Sequence, residues 1–371
     1  MPEVPARPYI GGQAVIEGVM MRSPGSISIV CRRRSGNLVV RERPVVEQTG
    51  GFRKLPLIRG IATVVESLKM GSESLRWSAK LYEEDLLAEE EEGRSAPAPK
   101  GPGVLSMLAL GIVAMVTRED GPSPLAPEEK EKRSPLLVVL PIMFAIGLFV
   151  ALPQLGAEGI NKLFGLGLEV NSPGFQAITG ASKLAIVVGY LSLIRMMPEV
   201  RRVFQYHGAE HKAISTYEAE EELVVENARR KTTMHPRCGT TFLVMVAMVS
   251  ILVFTAVGAL LPVVSGHRVV QSVAFFFMKL PFMPLIAAIT FEIQRIFARY
   301  CTTGPLRALL WPGFLVQKIT TAEPDDTQLE VALASLHAAL WREAAREAPA
   351  PADRVFPGYG EVLADPGYAR A

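Results

Sequence analysis

The chain has 371 residues and a formal net charge of +2, with 49% hydrophobic and 20% charged residues. That near-neutral balance excludes a nucleic-acid binder driven by bulk charge. Three cysteines, Cys31, Cys238 and Cys301, are too few and too scattered for a disulfide framework and suit a reducing compartment. The N-terminus MPEVPARPYIGGQ lacks the apolar core of a signal peptide.

In chain order, residues 1–87 read as a small α+β region. The stretches SISIVCRRR and LVVRERPVV flank SGN and predict a β-hairpin, and helical periodicity starts at about residue 58. Residues 88–135 are Pro-rich, charged linkers around VLSMLALGIVAMV, 104–116. At 13 residues that run is too short to cross a bilayer comfortably and predicts a helix lying on its surface or packed against the bundle. A membrane bundle follows over 136–291, with four runs of spanning length at 136–157, 177–197, 242–264 and 269–291. The 198–241 loop between the second and third runs is rich in Arg and Lys, whereas the opposite side offers only Lys162 and Arg268. The positive-inside rule therefore assigns both termini and this loop to the cytoplasm. Residues 292–345 predict cytoplasmic helices, the last over 326–341 with Asp325 or Asp326 as N-cap, and 346–371 reads as a disordered tail. The fold class is thus mainly α: a polytopic protein of the plasma membrane, with about four transmembrane helices, the lipid bilayer as partner and no nucleic acid.

Metal-capable side chains concentrate in the 198–241 loop, in YHGAEH (206–211) and MHPRCG (234–239). His207 and His211 are four positions apart on a helix, so both imidazoles reach one ion, and H-x-x-E-H is the inverted zinc-peptidase pattern in which the Glu activates the metal-bound water. Two such histidines also occur on ordinary surface helices. His235 would supply a third ligand, with one position open as catalytic zinc requires. Cys238 could replace it, or close the shell as a fourth ligand in a structural site. Glu210 is the candidate base. Glu17, the one acid in GGQAVIEGVMMRSPG (11–25), is a reserve ligand or an exposed residue of a glycine-rich turn. The cluster AEPDD (322–326) more simply caps the helix after it.

The stretches GGQAVIEGVMMR, LPLIRGI, RRVFQYHGAEHKAI, ENARRKTTMHPRCGTTF, ITFEI and PGFLVQKITTAEPDDTQLEVALASL run in order from residue 11 to about 336. On these the chain resembles the YqhQ-like family of bacterial inner-membrane proteins, predicted metal-dependent enzymes of unassigned reaction. The resemblance implies a multi-spanning protein with a cytoplasmic metal-binding face. The resulting expectation is a metal-dependent hydrolase using a divalent ion, most simply Zn²⁺, on an unknown substrate. The alternative is a non-catalytic membrane scaffold or assembly factor, binding a protein partner, whose loop is stapled by a metal or by hydrogen bonds.

Overall fold

The computed structural model describes residues 7–45, 55, 57–91, 147–262, 264–300, 305–345 and 352–368. Strands β1 (Gly11–Val15), β2 (Gly18–Arg22), β3 (Ser26–Arg32), β4 (Leu38–Pro44) and β5 (Arg354–Phe356) form one antiparallel sheet in that order. The expected hairpin is β3–β4; the glycine-rich stretch before it adds a second hairpin, β1–β2, which turns at Ile16 and Glu17. Side chains alternate across the sheet. Val19, Met21, Val30, Leu38 and Val40 enter the main core, while Val15, Met20, Ile29, Cys31 and Val39 pack under Trp77.

Helix α1 (Ile58–Glu91) carries Trp77 in its C-terminal half and anchors it with Arg33–Asp85 and Arg34–Glu89 ion pairs at 2.6 and 2.7 Å. Both linkers, the short 104–116 run and most of the 136–157 run lie outside the described residues; what is described of the last is a π-helical turn, Gly147–Ala151, leading into α2 (Leu152–Leu163). Helix α3 (Pro173–Ile194) is N-capped by Ser172, whose hydroxyl accepts from the Phe175 amide at 3.3 Å. Helices α4 (Pro198–Glu218) and α5 (Val225–Arg229) form the loop region, and α6 (Gly239–Val257) follows. Helices α7 (Arg268–Lys279) and α8 (Met283–Tyr300) are one apolar stretch interrupted by a 3-10 turn at Leu280–Phe282, where Pro281 removes an amide donor. Three segments, α3, α6 and Val270–Phe297, are long and apolar enough to cross a membrane.

After α9 (Trp311–Thr320) comes α10 (Asp326–Ala344), capped as its sequence predicts: Asp325 and Gln328 form a capping box. Leu329, Val331, Ala332, Leu333, Ala334, Leu336, Ala338 and Ala339 are all buried, so α10 is apolar on nearly every side. It is wedged between the sheet and α4. Ser28 fixes its register against β3, donating to the Ser335 carbonyl at 2.5 Å.

The tail differs from expectation. Residues 352–368 are folded: β5 pairs with β4, and α11 (Tyr359–Ala364) follows it. Phe356, Tyr359, Val362 and Tyr368 all enter the main core, which is enough apolar surface to order a short segment. Arg354 lies 3.9 Å from the Tyr368 ring centroid and pairs with Asp365 at 3.0 Å and buried Glu42 at 3.4 Å. These contacts satisfy charges that a composition argument counts only as polar.

Candidate metal centre

Helix α4 starts three residues after α3 ends and buries its YHGAEH turn. Gly208 is required there. A Cβ at this position would lie 2.2 Å from the Ala322 carbonyl oxygen, because the Thr321–Glu323 segment crosses the helix and the Ala322 amide donates to the Phe204 carbonyl at 2.9 Å. This crossing delivers the Thr320 carbonyl to His207.

His207 and His211 stack edge to face with ring centroids 4.5 Å apart. His207 Nδ1 lies 2.8 Å from the Thr320 carbonyl, and His211 Nδ1 lies 2.5 Å from the Thr233 carbonyl. A carbonyl can only accept, so both Nδ1 atoms carry the proton and both Nε2 atoms keep a lone pair when the rings are neutral. His207 Nε2 is 3.2 Å from Cys238 Sγ. His211 Nε2 is buried without a hydrogen-bond partner among the described residues. One ligand atom from each of His207, His211 and Cys238 falls within 4.8 Å of the other two. Cys238 reaches this position as the N-cap of α6, its sulfur accepting from the Thr240 amide at 3.4 Å.

Glu210 is 5% exposed, and its Oε2 also lacks a hydrogen-bond partner. Gly12 of β1 presses on it; a Cβ there would stand 2.7 Å from Glu210 Cγ. The glycine-rich stretch thus lids the cluster through its backbone rather than through Glu17. Glu17 sits in the β1–β2 turn with φ of 52° and accepts a forked pair of hydrogen bonds from Arg202, with Nη2 at 2.7 Å, and a third from the Tyr206 hydroxyl at 3.2 Å.

His235 lies beside the cluster and outside its ligand group. Its ring centroid is 5.8 Å from that of His211, its Nε2 is 3.2 Å from a Glu218 carboxylate oxygen, and its Nδ1 accepts from the Arg237 amide at 3.4 Å. The third place in the group is taken by Cys238 instead. The acids of AEPDD are also engaged: Glu323 with Lys212, Asp325 in the helix cap, and Asp326 with Arg229 at 2.6 Å.

Several positioning residues carry no ligand chemistry and so left no mark in the pattern of His, Cys and acids. Thr233 and Thr320 act through their backbone carbonyls. Gln317, wholly buried, accepts from the His235 amide at 2.9 Å and donates to the His235 carbonyl at 2.8 Å, and so ties the MHPRCG loop to α9. Their only signal was their place inside the long stretches quoted above.

The electrostatics follow from proximity in a dry site. Burial opposes the charged form of His207, but the Cys238 sulfur and Glu210 outweigh it and raise the imidazole to about 9. Burial likewise opposes the Cys238 thiolate, yet the charge and hydrogen bond of His207, joined by His211, hold this thiol well below its ordinary range. Burial pushes the Glu210 carboxyl up, with His207 and His211 pulling it back. Burial lowers His235 to about 4. Without an ion, the mutual pull of Cys238 and His207 favours the charged forms of both, thiolate beside imidazolium.

The donor set fits a divalent ion of the zinc class: one thiolate and two imidazoles, each imidazole oriented by a backbone carbonyl on its far nitrogen. Tetrahedral zinc spaces its ligands roughly 3.5 Å apart, so the cluster would contract only slightly around it. An ion also answers the two orphaned polar atoms, His211 Nε2 and Glu210 Oε2, which an apolar interior would not leave unpaired without cost.

A profile of the protein family of unknown function DUF1385 matches residues 55–342. The chain is also similar to the uncharacterized protein YqhQ of Bacillus subtilis (strain 168), with 30% identity over 346 residues, covering 92% of this chain and 95% of that protein. No solved structure matches. Neither similarity assigns a reaction, and the metal-centre geometry rests on this chain's own residues. The extent of both matches shows kinship along nearly the whole described fold: the chain belongs to the DUF1385 family.

Proposed function

We propose that this protein is a metal-dependent hydrolase of the bacterial plasma membrane, with its site at the cytoplasmic surface. His207, His211 and Cys238 hold the ion and Glu210 exchanges the proton. The observation that carries this reading is the pairing of two carbonyl-oriented imidazoles and a low-pKa thiol with an unpartnered, buried carboxylate one residue away. A bound divalent ion would supply Lewis acidity and make a coordinated water acidic near neutral pH. Glu210 Oε2 is free to accept a proton, and Gly12 limits its swing. Thr233 and Thr320 keep both imidazoles in the ligating tautomer. Cys238 caps a span-length helix, and Gln294 of α8 donates to its carbonyl at 3.4 Å, so the site sits level with the bundle's end. That depth favours an amphiphilic substrate.

Membrane topology supports the same reading. Strands from residues 11–44, helix α4 and helix α10 share one core, so all lie on one side of any bilayer. An even number of crossings must then separate α1 from α4. Helix α3 is one candidate crossing, and the apolar run that the sequence offers at 136–157 is of a length to be its partner. The Arg and Lys of α4 and the loop after it favour the cytoplasm for that shared side.

The second reading is a scaffold with a structural ion, and the burial of His211 and Glu210 favours it. Metal analysis of protein purified without chelators tests the shared part. About one zinc-type ion per chain is expected, lost in His211→Ala and Cys238→Ala and kept in His235→Ala; a metal-free wild type would refute both readings. Cobalt substitution separates them. A visible spectrum that shifts on adding azide marks an open coordination position and supports the hydrolase, whereas an unmoved spectrum supports the scaffold.

A further inference from the structure

The first turns of α1 lie against the apolar bundle, before the helix reaches the sheet at Glu66 and Gly71. Gly60 permits this, since a Cβ there would be 3.3 Å from both the Ala288 Cα and the Phe291 Cβ of α8. Next to Gly60, Arg59 clasps Glu292 with two hydrogen bonds, 2.8 and 2.5 Å long. Ala288, Phe291 and Glu292 all belong to Val270–Phe297, one of the three segments able to cross a membrane. The first turns of α1 therefore run at the depth of that segment's inner end.

The outward side of the same turns is apolar. Ile61, Val65 and Leu68 follow one another at steps of four and three, one stripe of the helix, and all three are exposed, Val65 by 52% and Leu68 by 47%, with Leu57 exposed just before the first turn. The stripe ends where contact with the sheet begins: Glu66 pairs with Arg22 of β2 at 3.1 Å, and Lys69, Glu73, Arg76 and Lys80 follow. From Ile58 to Leu68 the helix rises about 15 Å, close to half the thickness of a bilayer's hydrocarbon core. The Arg59–Glu292 pair closes two charges on each other, the form in which ionised groups are tolerated at that depth.

We propose that residues 58–68 form a membrane-embedded half-helix, inserted beside α8 into the cytoplasmic leaflet and bedding the Ile61–Val65–Leu68 stripe in lipid acyl chains, with the Glu66–Arg22 pair at its interfacial end. The occupant follows from continuity: the stripe extends the lateral surface of a span-length helix, whose neighbours in a membrane are lipid. The inference rests on reading α8 as part of a membrane span. It adds a second kind of attachment, by which the sheet domain is held to the bilayer by a helix that does not cross it.

Site-directed spin labelling of the full chain tests this. Nitroxides are placed singly at Val65→Cys and Leu68→Cys in a Cys301→Ser background, with the protein reconstituted in phosphatidylcholine–phosphatidylglycerol vesicles. Collision with oxygen should exceed collision with the water-soluble nickel complex NiEDDA severalfold at both positions, with the reverse at Lys80→Cys. Leu285→Cys, exposed on α8, serves as the span control. If Leu285→Cys meets lipid while Val65→Cys and Leu68→Cys meet NiEDDA, the half-helix is wrong and the span reading survives. If Leu285→Cys also meets NiEDDA, both fall. Low access to both reagents at Val65 and Leu68 means a protein surface covers the stripe, a second copy included, and overturns the lipid assignment.

Discussion

Replacing Gly12 by Ala tests whether β1 really holds Glu210 in place. The added Cβ would meet Glu210 Cγ at 2.7 Å, Oε1 at 2.8 Å and Cδ at 2.9 Å, all inside van der Waals contact. All three atoms belong to one side chain, so relief requires moving Glu210 or β1. Overpacking of this kind costs about 1–3 kcal/mol. In a Glu210→Ala background the clashing atoms are gone, and Gly12→Ala should then cost close to nothing. The coupling between the two substitutions should accordingly be about 1–3 kcal/mol, well beyond the scatter of independent sites. Denaturant unfolding in detergent, followed by the fluorescence of Trp77 and its fellow tryptophans, gives the four stabilities. An equal cost of Gly12→Ala in both backgrounds would refute the contact and the lid built on it.

Three other outcomes follow from the geometry. Gly208→Ala should be more damaging than Gly12→Ala and should not be rescued by Glu210→Ala, because its Cβ meets the Ala322 backbone oxygen at 2.2 Å; loss of folded protein on size exclusion is the readout. Burial raises Glu42 to about 7, with Arg354 pulling it down, from an ordinary value of 4.5. Since its folded pKa is the higher one, its stabilising contribution is complete below pH 4.5 and is lost as pH rises through 7. Glu42→Gln should remove that pH dependence, worth at most about 3 kcal/mol, from unfolding curves compared at pH 5 and 8. Finally, zinc must displace the proton that His207 holds up to about pH 9, while the same pairing pulls the Cys238 thiol toward its ionised form. Calorimetry in buffers of different ionisation enthalpy should register about one proton released per zinc at pH 7, and affinity should rise roughly tenfold per pH unit toward 9. Affinity independent of pH over that range would contradict the thiolate–imidazolium pair.

What could be read from the sequence was whatever a local pattern decides. The β3–β4 hairpin, the start of α1, the Asp325 cap and the apolar runs of α3, α6 and α7–α8 each follow from periodicity or cap chemistry within a short window. The i, i+4 pairing of His207 and His211 is likewise a property of one helix. What escaped was settled by tertiary approach. Whether His235 or Cys238 faces the pair depends on how Gln317 holds the intervening loop, and Glu17 is claimed by Arg202, 185 residues away. The folded tail escaped because its four apolar anchors are spread through polar residues, with no period to betray them. Gly12 was noticed as a glycine, but its purpose is visible only with Glu210 against it.

The order in which the sheet is assembled has a consequence for biogenesis. Strands β1 to β4 are synthesised before every described helix, yet the helix that fills their core is α10, and the strand that covers β4 is β5. Between them in the chain lie the three described segments long and apolar enough to cross a membrane. On the proposed topology the amino-terminal strands would wait, with one apolar face uncovered, until those segments had entered the lipid. Completing the sheet would then act as a check on insertion, since a chain inserted with the wrong parity would leave α10 on the far side.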